Sequence, residues 1–208
     1  MIYDISPPVS SRLPVWPGDT PPSRDLLLDI ARGDHLTLST LRTTVHVGAH
    51  ADAPSHYGDG APAIDAQPLD LYVGRCQVIH VDAAKGSRIA PGEIDGSIEE
   101  PRVLLATGTY PDPLVFDEEF AALEPGLIGW LADRGVRLVG VDTPSVDTFH
   151  SKRLPAHHEC LSRDVAILEG LVLTSVPSGT YELIALPLRL VGFDASPVRA
   201  VLRTLGDE

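Results

Sequence analysis

The sequence predicts an α/β fold built on a mixed β-sheet, within one domain spanning residues 1–208. Three observations lead there. Compact apolar runs of four to six residues, bounded by Gly, Pro or charge, read as buried strands. One well-delimited helical segment directly precedes such a run, as in an αβ unit. The 18 Gly and 19 Pro among 208 residues exceed ordinary usage without reaching low-complexity levels, which predicts many turns and hence many short strands.

In chain order, residues 1–25 carry Pro7, Pro8, Pro14, Pro17, Pro21 and Pro22. Missing backbone donors should keep this segment on the surface and out of a central strand. Leu36 and Leu38, then Val45 and Val47, alternate in part among the β-branched Thr37, Thr43 and Thr44. Cys76–Val81, Val103–Ala106 and Leu138–Val141 are the runs read as buried strands. Between the last two, Pro125 marks a helix start and Gly135 a stop, with Leu123, Leu127 and Leu131 on one face. Ala156–Glu169 reads as a second helix, with a His pair at its start. Tyr181–Val191 alternates over part of its length, and Pro187 restricts it to an edge or a bend. Trp130 falls on the first helix and is expected in the core.

Composition excludes several classes of function. The formal net charge is −13 and no basic tract exists, so the chain lacks the cations that neutralise phosphates or anionic lipid. Neither a nucleic-acid nor a membrane partner is expected. The N-terminal segment has no basic or apolar signal region, and no run reaches the ~18 apolar residues of a membrane span. Two cysteines make no disulfide framework, and the absence of Asn removes N-glycosylation. The reading is a cytoplasmic, reduced compartment.

Six of the eight histidines fall in two short stretches, His46, His50 and His56 in one and His150, His157 and His158 in the other. In the first, His46, His50, Asp52 and His56 are spaced by even numbers, which turns side chains of an extended chain to one face. Gly48, Ala49, Ala51, Ala53 and Pro54 let the backbone bend toward a shared centre. Imidazole and carboxylate together suit Zn²⁺, Mn²⁺ or a similar divalent ion. In the second stretch only one of His157 and His158 can face such a site, because adjacent side chains diverge. Glu169 sits among Ile167, Leu168, Leu171 and Val172, where a buried carboxylate needs a partner. Its other reading is an exposed residue on an amphipathic turn. Cys160 is either a ligand or, more simply, a buried thiol. Trp16, held between Pro14 and Pro17, either stacks on an aromatic ligand or staples the N-terminal arm. The sequence carries no G-x-S-x-G elbow, C-x-x-C, H-E-x-x-H or Walker pattern.

The run His46-x-Gly-x-His50-x-Asp52-x-Pro54-x-His56 resembles the metal motif of the cyclase-like metal-dependent hydrolases. That family commonly has Thr where this chain has Ala49. Ala49 followed by His50-Ala-Asp-Ala-Pro, together with Val15-Trp-Pro-Gly-Asp, Ala166-Ile-Leu-Glu-Gly-Leu and the block Tyr181–Arg199, is similar to its bacterial kynurenine formamidase branch. The resemblance covers essentially the whole chain. It implies a swivelling β/β/α fold, a homodimer and two zinc ions per chain, with Mn²⁺ or another divalent ion as the substitute. His46, His50 and Asp52 would bind one ion; Asp52 and His157 would bind the second; Glu169 would bridge. His157 is preferred over His158 because its separation from Glu169 matches the family pattern. His56 would donate and accept the proton, and Trp16 would contact the substrate. The implied reaction is hydrolysis of N-formyl-L-kynurenine, a small molecule, to L-kynurenine and formate. The competing readings are a sister hydrolase acting on another amide or an isatin-like lactam, and a non-catalytic domain with a structural metal. Structural zinc sites are closed and usually Cys-rich, whereas this set is His and carboxylate.

Overall fold

Short apolar runs separated by turns assemble here into one large sheet. The computed structural model describes residues 1–206. The strands, in chain order, are β1 (Ile2–Asp4), β2 (Ser23–Leu28), β3 (Leu38–Arg42), β4 (His50–Asp52), β5 (Val73–His80), β6 (Arg88–Ile89), β7 (Arg102–Ala106), β8 (Ala122–Leu123), β9 (Leu138–Val141), β10 (Ala166–Glu169), β11 (Gly179–Ile184), β12 (Ala195–Pro197) and β13 (Val201–Thr204). Two α-helices join them, α1 (Pro125–Ala132) and α2 (Pro155–Arg163).

Nine strands form the main sheet in the order β1-β13-β11-β5-β7-β9-β10-β4-β12. The centre, β5-β7-β9-β10, is parallel, and both flanks are antiparallel. The expected mixed sheet is therefore present. Of these, β7, β9 and β10 are buried on both faces, which is why they read as nearly continuous apolar runs. Strand periodicity divides them between two cores. Leu104, Leu138 and Leu168 join Ala51, Cys76, Val78, Leu183 and Leu202 on one face. Because strands from both flanks contribute to that core, the sheet curls around it. Val103, Leu105, Val139, Val141 and Ile167 point the other way, onto Leu127, Ile128 and Leu131 of α1 and Ala156 and Cys160 of α2.

Helix α1 lies within the segment expected, with Pro125 in its first turn and Gly135, at φ 84°, just beyond its end. Leu123, Leu127 and Leu131 are fully buried. Trp130 is half-buried at the margin of that core, with the Arg134 guanidinium 3.8 Å above its ring. The proline-rich arm contributes only the edge strand β1 before β2, in keeping with its lack of donors.

Three expectations need correction. The second helix does not run to Glu169. It ends at Arg163, where Asp164 takes a left-handed conformation, and residues 166–169 form β10 between β9 and β4. Ladder bonds to two neighbours outweigh the weak helical pattern, and Glu169 is buried on a strand rather than exposed on a turn. The run from Tyr181 stops as a strand at Ile184, so Pro187 lies outside the sheet. The strand itself, β11, is interior, paired with both β13 and β5. Finally, Val45 and Val47 lie outside any strand, and β3 exposes all five of its residues.

Candidate metal centre and its cavity

The site forms where the parallel strands end. Glu169 is the last residue of β10, and β4 runs antiparallel beside it with Glu169 opposite His50 and Ile167 opposite Asp52. Ala51, between them, points into the core enclosed by the sheet. Alternation then turns His50, Asp52 and Glu169 to the other face, where α2 lies. His157, in the first turn of α2, meets them there. Only His50 and Asp52 owe their shared face to an extended strand. His46 precedes the turn at Gly48, and His56 ends the single 3₁₀ turn Pro54–His56. Bends, rather than one continuous strand, bring these four together.

Gly170 makes this packing possible. It follows Glu169 at φ 66°, and a Cβ there would stand 2.2 Å from the carbonyl oxygen of Gly48. That same oxygen accepts the Nδ1 proton of His50 at 2.8 Å, fixing the ring so that Nε2 faces the carboxylates.

Asp52 is the centre. His46 Nδ1 lies 3.1 Å from its Oδ1, His50 Nε2 lies 3.5 Å from the same oxygen, and His157 Nε2 lies 3.5 Å from Oδ2. Yet neither oxygen has a well-formed hydrogen bond, although the residue is 1% exposed. Glu169 reaches His50 Nε2 at 3.3 Å and His157 Nε2 at 3.5 Å, and its Oε1 accepts from the backbone N–H of Val146 at 2.7 Å. Two sets of side chains offer donor atoms all within 4.8 Å of one another: His46, Asp52 and His56, and His50, Asp52 and Glu169. This grouping differs from the expected division, in which His46 and His50 share one ion. Asp52 belongs to both sets in either case.

The electrostatics favour a cation. Burial draws the His46 imidazole down, but the carboxylates of Asp52 and Asp194 more than reverse it and push the group up to about 9. Burial also opposes ionisation of Asp52, and the neighbouring imidazoles His157 and His46 overcome it, holding the acid well below its usual range. Glu169 is lowered as well: its burial and the charge of Asp52 oppose ionisation, and His157 and His50 outweigh both. A divalent ion would compete with these imidazole protons for the same carboxylates.

Two acids that the sequence reading did not single out hold the imidazoles. Asp147 is fully buried; its Oδ2 accepts from His157 Nδ1 at 2.9 Å and from the backbone N–H groups of Ala156 and His157 at 3.1 and 3.2 Å. It thus caps α2 from outside the helix while aiming His157 Nε2 at the centre. Arg88 donates to its other oxygen at 2.9 Å. Asp194 Oδ2 accepts from His46 Nε2 at 3.0 Å and from His56 Nδ1 at 3.2 Å. Asp194 lies in the C-terminal block that carries the branch resemblance, a signal without an assigned role; Asp147 had no local motif to mark it.

A cavity of about 360 Å³ opens over the cluster. Its walls come from the loops after β7 (Tyr110, Phe116) and β9 (Phe149), and from Trp16 on the proline-rich arm. Ligand sites commonly form beyond the carboxyl ends of parallel strands. Trp16 packs its ring 4.9 Å from that of Phe149 and 5.8 Å from that of Phe116. His46, His50, His56, His157 and Glu169 line the cavity, so the expected site residues converge on it or, for Asp52, directly beneath. His158 is exposed, His150 packs edge-on against Phe149 outside the cluster, and Cys160 is a buried thiol on the core face of α2.

The Cyclase family, described as "Putative cyclase", matches residues 3–148. Kynurenine formamidase of Bordetella petrii is 47% identical over 207 residues, covering 99% of each chain. The chain belongs to the cyclase family. Among solved structures, a protein described as a "predicted metal-dependent hydrolase" from Bacillus stearothermophilus superposes with a TM-score of 0.83 at 31% identity, over 97% of each chain. Isatin hydrolase A of Labrenzia aggregata shares this cyclase-family fold, with a TM-score of 0.81 at 23% identity over 97% of this chain and 93% of its own.

Proposed function

We propose that this chain is an arylformamidase that hydrolyses N-formyl-L-kynurenine to L-kynurenine and formate. The observation that carries this reading is Asp52, a buried carboxylate with neither oxygen hydrogen-bonded, ringed by imidazoles beneath an aromatic cavity. It occurs in a chain 47% identical, end to end, to a kynurenine formamidase. Residues 1–208 act as one hydrolase unit.

The donor set fits divalent metal, because a buried carboxylate without donors is costly unless a cation compensates it. His46, His50 and Asp52 would hold one ion and Asp52 and His157 a second, with Glu169 between them; zinc suits these ligands, and Mn²⁺ is the substitute. When bound, such ions supply Lewis acidity toward a carbonyl and lower the pKa of water to near neutrality. The chain's own groups do the rest. Trp16, backed by Phe149, stacks on the aryl ring and holds the formamide toward the cluster. Asp194 accepts a hydrogen bond from Nδ1–H of His56, which leaves Nε2 to exchange a proton with the reacting groups. The aniline nitrogen must gain a proton as its bond to the formyl carbon breaks, and His56 donates it.

Purified enzyme should release kynurenine and formate from N-formyl-L-kynurenine and contain about two divalent ions per chain. Comparing turnover with isatin separates this reading from a lactam hydrolase; activity in fully metal-free protein would contradict it. His56→Ala should keep its metal and lose about 10²- to 10⁴-fold in kcat. Near-normal kcat would remove His56 from the proton transfer.

The homodimer reading has support in the β2–β3 hairpin. This two-stranded sheet pairs with no other strand among the described residues, and Leu27, Ile30, Leu38 and Leu41 on it are 59, 63, 48 and 66% exposed. An isolated hairpin is marginal in water, so a second copy of the chain is its natural cover. Light scattering should give twice the 22.2 kDa chain mass, and a Leu27→Glu/Leu41→Glu variant should be monomeric. Both cysteines are free and buried, which supports a reduced, cytoplasmic setting; no described helix is long and apolar enough to cross a membrane.

A further inference from the structure

Outside the His/Asp/Glu cluster, the described residues lining the cavity include just two charged side chains, Lys152 and Asp19. Neither forms a salt bridge among the described residues, with each other or with anything else. Lys152 is one of only two lysines in a chain of net charge −13. It is exposed, and its ammonium makes no hydrogen bond among the described residues. Asp19 accepts one bond, from the backbone N–H of Thr20 at 2.6 Å, and keeps its other oxygen free.

These charges lie on the walls that frame the aromatic slot. Lys152 is three residues from Phe149 on the loop after β9, and Asp19 is three residues from Trp16 on the arm that packs against it. The loop is pinned: Ser151 Oγ accepts from the backbone N–H of Leu154 at 3.2 Å, and Leu154 takes a left-handed conformation at φ 43° before α2 begins. Away from the cluster, Asp19 is the one carboxylate on the described lining, and an anionic substrate end is repelled by it unless a cation answers it. Lys152 is the one Lys or Arg on the described lining.

We propose that Lys152 binds the carboxylate of the substrate and so selects aromatic amides that carry an amino-acid side arm over neutral amides and lactams. This rests on the formamidase reading above. An ammonium meeting a carboxylate makes a charge-assisted hydrogen bond, and Asp19, on the arm, offers the opposite charge to the α-ammonium. A neutral lactam such as isatin has no group for either.

The test compares Lys152→Met with wild type on two substrates: N-formyl-L-kynurenine, and 2-formamidoacetophenone, which keeps the ring, ketone and formamide but lacks the amino-acid end. Methionine retains most of the aliphatic stem, and no bond that holds the fold is lost. Expected is a fall in kcat/KM of about 10- to 100-fold on formylkynurenine, carried mainly by KM, against less than about 3-fold on the truncated amide. Lys152→Arg should recover most of the loss. Equal changes on both substrates, or no change on formylkynurenine, overturn the lysine's role and leave the formamidase reading standing. Wild-type enzyme that hydrolyses neither substrate overturns both.

Discussion

Replacing Asp52 with Asn is expected to reduce turnover by on the order of 10⁴-fold while leaving the fold in place. The substitution keeps the volume of a side chain that is only 1% exposed, so strands β4 and β10 retain their pairing. What it removes is the negative charge common to both sets of donor atoms. In metal-free protein the variant should unfold at a lower temperature than wild type, because the Asp52 charge that the His157 and His46 imidazoles favour is gone. Adding Zn²⁺ should then separate the two further. Wild type gains stability through ligand linkage, roughly 2.7 kcal/mol at a hundredfold excess over Kd, and the variant gains little. Calorimetry with and without metal, and metal content after desalting, measure this without reference to activity. A variant that keeps two ions per chain, or its turnover, would refute the central place given to Asp52.

Asp147→Ala acts from outside the cluster, and its expected effect is on both stability and affinity. One carboxylate oxygen receives two backbone N–H groups and the His157 ring, and the other receives Arg88. Removing it leaves buried donors without partners and a cation without its counter-charge, which costs about 3–5 kcal/mol. For a chain of this size that lowers Tm by roughly 10 °C. Freed from Asp147, the His157 ring loses its fixed orientation, and metal affinity should fall about 10- to 100-fold. Asp147→Asn keeps an acceptor for the helix cap. It should recover much of the stability but less of the affinity, since a neutral amide no longer favours the His157 tautomer that presents Nε2. Equal recovery of both would reduce Asp147 to a capping residue.

These two residues also show how far the sequence was legible. Asp52 stands in a run where His, His, Asp and His alternate with small residues, so local spacing alone marks it. Asp147 has no such setting, and its role arises because the loop after β9 brings it beneath the first turn of α2. Trp16 offered two readings, and the partners that place it on the cavity wall, Phe116 and Phe149, lie a hundred or more residues away. The helix carried on to Glu169 failed for a related reason. A four-residue apolar run is compatible with either period, and the ladders to β9 and β4 decided in favour of a strand.

From residue order alone came the α/β class, the central buried strands, the capped helix α1 and the chemistry of the His/Asp/Glu set, because these rest on periodicity and side-chain type within a short window. Tertiary structure decided which histidine of the pair faces the centre, that Asp147 and Asp194 orient the imidazoles, and that Lys152 is the one Lys or Arg on the cavity's described lining. Those are contacts between segments 10 to 148 residues apart. A sheet that curls around its own core creates them, and no local pattern of residues encodes the distance it closes.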